Sequence, residues 1–154
     1  RGGFLRDSMY VYAYYAGDDN MRHVLKEHDY PDRDALLRSF ARYACSILDK
    51  GVFHKDFSPG NIIFEKTASD YRFTLIDINR ISFGPVAEAK RRQVFRRLFT
   101  DEDTLTILAD EYADATGGDR EAVTATMIGY SRRFIGKKTR KKKIKKMLGL
   151  SRSG

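Results

Sequence analysis

Two β-prone runs, NIIFE at Asn61–Glu65 and YRFTLI at Tyr71–Ile76, are separated by only five residues, KTASD. So short a link between two extended segments predicts an antiparallel hairpin. The residues at the hairpin's ends constrain the chain further. His54 and Asp56 precede the first run, Asn61 opens it, and Asp77 directly follows the second. A carboxylate beside buried strands is costly unless a cation or a proton-bearing group uses it. The hairpin is therefore expected to present its polar ends to a site.

Helical patterns surround this hairpin. SMYVYAYYAG is β-branched and aromatic and predicts a strand that leaves into a loop at Gly17. DDNMRHVLKEH predicts a short helix with Met21, Val24 and Leu25 inward. Pro31 and Asp32 open a second helix, with Leu36, Leu37, Phe40, Tyr43, Ala44, Ile47 and Leu48 apolar, closed by Gly51. Beyond Gly84 the chain reads as entirely helical. One helix is expected over Ala87–Phe99 with Val94, Phe95 and Leu98 inward. A second is expected to start at a capping box of Thr100 and Asp103 and to bury Leu105, Leu108, Ala109 and Tyr112. After TGGD, a third should place Val123, Met127, Tyr130 and Phe134 on one face.

With 154 residues the chain has the length of one domain, typically about 100–200 residues. No apolar run approaches the ~20 residues that span a bilayer, and the opening RGGFLRDS has no apolar core of a secretory signal. Cys45 is the only cysteine, which excludes an internal disulfide and a multi-cysteine zinc site and is compatible with a reducing cytoplasm. Its expected role is a small core side chain rather than a nucleophile.

His54, Asp56 and Asn61 stand in the pattern H-x-D-x-x-x-x-N, followed by a strand, a hairpin and Asp77. The order of helix, loop motif, hairpin and Asp resembles the catalytic core of the protein-kinase-like fold. The resemblance implies an α+β fold: the C-terminal lobe of a kinase, mostly helical, with a small catalytic β-hairpin and a residual N-terminal strand. It also implies ATP and Mg2+ as cofactors. Asp56 would receive the proton of the attacking hydroxyl, Asn61 and Asp77 would bind magnesium, and His54 would be structural. Phosphoryl transfer suits such a set, because it needs charge neutralisation by hard oxygen ligands more than covalent help.

Departures from the pattern narrow the acceptor. Lys55 stands where Arg is usual, which argues against control by a phosphorylated activation loop, and Asp77 is followed by IN rather than FG. DFSPGN has no base after the Asp, and helix signals resume ten residues after Asp77, which leaves no peptide platform. The loop is closer to kinases of small molecules and sugars. GGFLRDSMYVYAYYAGDDNMRHVL, the catalytic stretch and the basic helical end together resemble the lipopolysaccharide kinase family of Kdo and heptose kinases. That family implies phosphorylation of a lipid-linked sugar acceptor at the cytoplasmic face of a Gram-negative inner membrane. Aminoglycoside and choline-type phosphotransferases share the loop and remain alternatives. So does a catalytically dead binding module.

The same resemblance divides the chain into the end of a small lobe and hinge (1–17), a large lobe (18–135) and a basic tail (136–154). Hinge backbone at Tyr14, Tyr15 and Ala16 would bind adenine. Nothing before Ser8 has room for the Gly-rich loop, the Lys and the Glu of a small lobe, and the chain lacks an initiator Met. It is therefore expected to be a fragment that needs the missing small lobe in cis and turns over negligibly alone.

Charge is segregated. Residues 131–154 carry 11 Lys or Arg and no acid, whereas residues 1–130 carry 18 basic and 21 acidic side chains. Within the tail, Lys137, Lys138, Arg140, Lys141, Lys142, Lys143, Lys145 and Lys146 form the dense stretch, with Ile144, Met147 and Leu148 at helical spacing. Two readings stand open: a solvated tail, or a short amphipathic helix that contacts an anionic membrane surface. Specific nucleic-acid binding is disfavoured, because no base-reading motif accompanies the charge.

Overall fold

The structure is a computed structural model that describes residues 17–148, with the side chain of Lys145 outside the described set. The strand expected at Met9–Tyr15 and the adenine-binding backbone expected at Tyr14, Tyr15 and Ala16 lie outside the described residues. In order, the elements are β1 (Asp19–Asn20), α1 (Met21–Lys26), α2 (Arg33–Asp49), β2 (Val52–His54), β3 (Ile62–Lys66), β4 (Tyr71–Leu75), β5 (Ile81–Phe83), α3 (Glu88–Gln93), α4 (Glu102–Thr116) and α5 (Arg120–Met147). The architecture is α+β and mostly helical, with a small antiparallel sheet ordered β1-β3-β4 and a separate antiparallel ribbon of β2 and β5.

Helix α2 is the axis of the core. Its apolar positions surround most of its circumference, and Leu36, Leu37, Phe40, Ala41, Ala44, Cys45 and Leu48 are buried. Phe40 is the junction: its ring lies 5.7 Å from Phe57, 5.6 Å from Phe73 and 6.4 Å from Phe95. One side chain thus ties α2 to the 54–61 loop, the hairpin and the segment after α3. Each such buried aromatic contributes on the order of 2–3 kcal/mol of apolar transfer. On the other side α4 contacts both α2 and α5; Leu105, Leu108 and Tyr112 of α4 are buried, as are Val123 and Met127 of α5.

The hairpin forms as expected, with Phe64 opposite Phe73 on the buried face and Glu65 opposite Arg72 on the other. The β2–β5 ribbon is closed at its end by two glycines. Gly51 has φ +72, and a Cβ there would lie 2.8 Å from the carbonyl oxygen of Gly84, so both the conformation and the approach exclude a side chain.

Three expectations need correction. The single helix expected over Ala87–Phe99 is broken: α3 ends at Gln93, residues 94–97 form a 3-10 turn, and Phe99 has φ 54. Tightening to three residues per turn stacks Phe95 over Leu98, and both are buried. The left-handed Phe99 then turns its ring onto Phe134, 5.4 Å away. Second, α4 is capped by Asp101 rather than Thr100. The Asp101 carboxylate accepts from the Thr104 N–H at 2.8 Å and from the Thr104 hydroxyl at 3.1 Å, two bonds where a threonine hydroxyl offers one. Third, the basic helix of the tail is not a separate element but the second half of α5, which continues through Gly136 to Met147. Lys and Arg are good helix formers, and cations near a helix C-terminus complement its dipole.

Candidate functional site

The polar residues singled out in the sequence are joined by one buried imidazole. His54 ends β2 and is 1% exposed. Its Nδ1 accepts from the backbone N–H of Asp56 at 3.1 Å, and its Nε2 faces the carbonyl oxygens of Ile76 at 3.0 Å and Asp77 at 3.2 Å. A backbone N–H can only donate and a carbonyl can only accept, so the ring is the neutral Nε2–H tautomer. His54 therefore pins the loop that carries Asp56 to the strand end that carries Asp77.

Further bonds close the loop. The Asn61 Nδ2 donates to the carbonyl of Asp56 at 2.9 Å, Ser58 N–H donates to the same oxygen at 2.7 Å, and Ile76 N–H donates to the Asn61 carbonyl at 3.0 Å. Lys55 N–H donates to the carbonyl of Arg80 at 2.8 Å on the far side. Beneath the polar face, Phe57 is 1% exposed and stacked on Phe40. The loop thus has an apolar anchor and a backbone scaffold, and the Asn61 Oδ1 is not consumed in holding it.

The three oxygen-bearing side chains differ in environment. The half-buried Asp56 carboxylate accepts from Arg97 Nη1 at 3.0 Å. Asn61 spends its amide N–H on Asp56, which leaves Oδ1 without a protein partner among the described residues. Asp77 has left-handed backbone, φ 58 and ψ 52, and among the described residues its exposed carboxylate meets only Arg80, 3.9 Å away. Among the described residues no group of three His, Cys, Asp or Glu side chains forms a metal cage. Asn61 and Asp77 supply two hard oxygen donors, which fits a magnesium ion that takes its remaining ligands from phosphate and water.

Sequence reasoning missed Phe57 and Arg97. Phe57 has a local signal, an apolar side chain in the middle of a polar loop. Arg97 has none, because it reaches Asp56 from 41 positions along the chain. A concavity of 470 Å³ between Asp32, Arg42, Lys66 and Tyr71 lies at the outer end of the hairpin and away from these groups.

In α5, Lys137, Lys138, Arg140, Lys141, Lys142, Lys143 and Lys146 are exposed, and Ile144, Met147 and Leu148 are exposed beside them. Lys138 Nζ lies 4.1 Å from the centre of the Phe99 ring, so the start of this stretch is packed on the body. No helix among the described residues is long and apolar enough to cross a membrane. The sequence matches no known family model and no curated protein.

Proposed function

We propose that the chain is the large-lobe part of an ATP- and magnesium-dependent phosphotransferase whose acceptor is a sugar hydroxyl of the lipopolysaccharide inner core, on Kdo or heptose. One observation carries the reading: His54 joins the Asp56 loop to the end of the hairpin while leaving the oxygens of Asn61 and Asp77 open. Magnesium, when bound, would neutralise charge on the transferring phosphate. Asn61 and Asp77 would hold it, and Asp56 would orient the acceptor hydroxyl and take its proton. The Arg97 guanidinium, 3.0 Å from the Asp56 carboxylate, fixes its rotamer. The basic half of α5, with its exposed Ile144, Met147 and Leu148, would seat the protein on an anionic membrane surface that displays the acceptor.

A second reading has its own observation. The Asp56–Arg97 ion pair also suits a non-catalytic module in which the carboxylate latches the loop to the 94–97 turn. Phosphoryl transfer by the full-length protein separates the two. Asp56→Asn is expected to lower kcat by 10³-fold or more, on the order of 4 kcal/mol of transition-state stabilisation, with Mg-ATP binding retained. Asp77→Asn is expected to weaken metal-dependent nucleotide binding. Unchanged turnover in both variants, or none in the parent, would favour the latch. A panel of Kdo, heptose, aminoglycoside and choline acceptors separates the sugar reading from its small-molecule alternatives.

A further inference from the structure

Several arginines away from Asp56 are paired with carboxylates. Arg42 meets Glu111, Arg91 meets Asp49, Arg120 meets Asp114 and Arg132 meets Glu102. Between β2 and the 94–97 turn the balance reverses. A pocket of 210 Å³ there is lined by Lys55, Arg96 and Arg97, with Phe53, His54, Gln93 and Val94 completing the wall. Among the described residues, the carboxylate that pairs with any of these three cations is Asp56, which takes one N–H of Arg97.

The guanidinium groups are held in place. Arg96 donates to the Gln93 side-chain oxygen, and both Arg96 and Arg97 lie over the Phe134 ring, 5.5 and 5.4 Å from its centre. Burial, and then the positive charge of Arg97, lower the pKa of Arg96. Like charges gathered in a partly desolvated recess repel one another until an anion enters. A guanidinium has five N–H donors in a planar fork that matches carboxylate and phosphate oxygens, so Arg97 can hold Asp56 and still serve a second oxyanion.

We propose that this pocket binds an oxyanionic substituent, a carboxylate or a phosphate, of the acceptor whose hydroxyl Asp56 addresses. The acceptor half of the inference rests on the phosphotransferase reading; the anion pocket does not. Arg97 would then contact both the proton acceptor and the anchor of the substrate. The site would select acidic or phosphorylated sugars over neutral ones.

Two measurements test it. Inorganic phosphate is titrated into the 154-residue chain while the backbone amide resonances of Lys55, Arg96 and Arg97 are followed. Saturable shifts at these residues are expected, weakened about tenfold in Arg96→Ala and in Lys55→Ala, with Arg120→Ala as an unaffected control. No shift at these positions, or equal affinity in both variants and the parent, would overturn the pocket. The full-length protein is then assayed with a carboxylated, a phosphorylated and a neutral sugar. A lower KM for one of the two acidic acceptors, with the ratio to the neutral sugar collapsing toward one in Arg96→Ala, supports the proposal and says which anion is read. Equal KM for acidic and neutral sugars in the parent would overturn the acceptor assignment. Phosphate binding with no turnover on any sugar would overturn that assignment together with the phosphotransferase reading, while the anion pocket stood.

Discussion

Removing the His54 ring tests the architecture of the site directly. In His54→Ala the Asp56 N–H loses its 3.1 Å acceptor, and the carbonyls of Ile76 and Asp77 lose their shared donor. Two net hydrogen bonds are worth about 2 kcal/mol together, and a void left by a side chain that is 1% exposed adds about 1–2 kcal/mol more. The expected destabilisation is therefore about 3–4 kcal/mol, a large fraction of the stability of a domain this size. His54→Asn is expected to cost roughly half as much, because its amide oxygen can still accept from Asp56 N–H while its nitrogen falls short of the strand end. Urea unfolding followed by circular dichroism, extrapolated linearly with m held common, gives both values. Amide exchange at Asp56 and Asn61 should accelerate in the same order. A loss below 1 kcal/mol for His54→Ala, or identical losses for the two variants, would refute the view that the imidazole joins the loop to the hairpin.

Other expectations follow from single contacts. Asp101→Ala should cost about 1 kcal/mol in thermal or urea unfolding, since it removes the cap of α4. Burial raises the Asp101 pKa, but the bonds from Thr104 outweigh it and leave the carboxyl below its usual range. Its stabilisation is therefore complete above the unfolded value near 3.9 and fades as pH falls through the lower folded value, a loss that Asp101→Ala should not show. Cys45 is pushed up to about 11 by burial against a smaller opposing effect of the Arg91 charge, so alkylation by iodoacetamide at pH 8 should be slow in the native chain and fast in urea; equal rates would mean that the thiol is exposed. Deleting residues 137–154 should reduce sedimentation with anionic vesicles, as should added salt, and equal binding with and without them would leave the stretch as a solvated helix end.

Much of this fold was legible because its signals are local. α1, α2, the hairpin and the buried positions of α4 follow from apolar spacing and from cap residues such as Asn20, whose Oδ1 accepts from Arg22 N–H at 3.0 Å. The ribbon of Val52–His54 and Ile81–Phe83 was not legible. Three residues are too few to show a period, and their pairing depends on a close approach between Gly51 and Gly84. The break after Gln93 was hidden for a related reason. Val94, Phe95 and Leu98 read as one helical face, and only the packing of Phe99 on Phe134 decides that the chain tightens and turns there. The site divides along the same line. Its motif residues are sequence neighbours and could be found, whereas Arg97 and the cation pocket exist only once the turn after α3 is folded back onto β2.

The backbone at Asp77 bears on which of the two readings of the site is the better one. A left-handed conformation costs a non-glycine residue roughly 1 kcal/mol or more and persists only where its surroundings hold it. His54 Nε2 takes the Asp77 carbonyl, and the Arg80 N–H donates to the same oxygen at 3.0 Å, so the turn is held through the backbone alone. Glycine would satisfy both bonds without the strain. The carboxylate adds only a 3.9 Å approach to Arg80 with both partners well exposed, an interaction worth less than it costs to keep the side chain there. A loop built merely as a latch has no use for that acid. The proposed phosphotransferase would use it as a second hard oxygen beside the Asn61 Oδ1, which has no protein partner among the described residues.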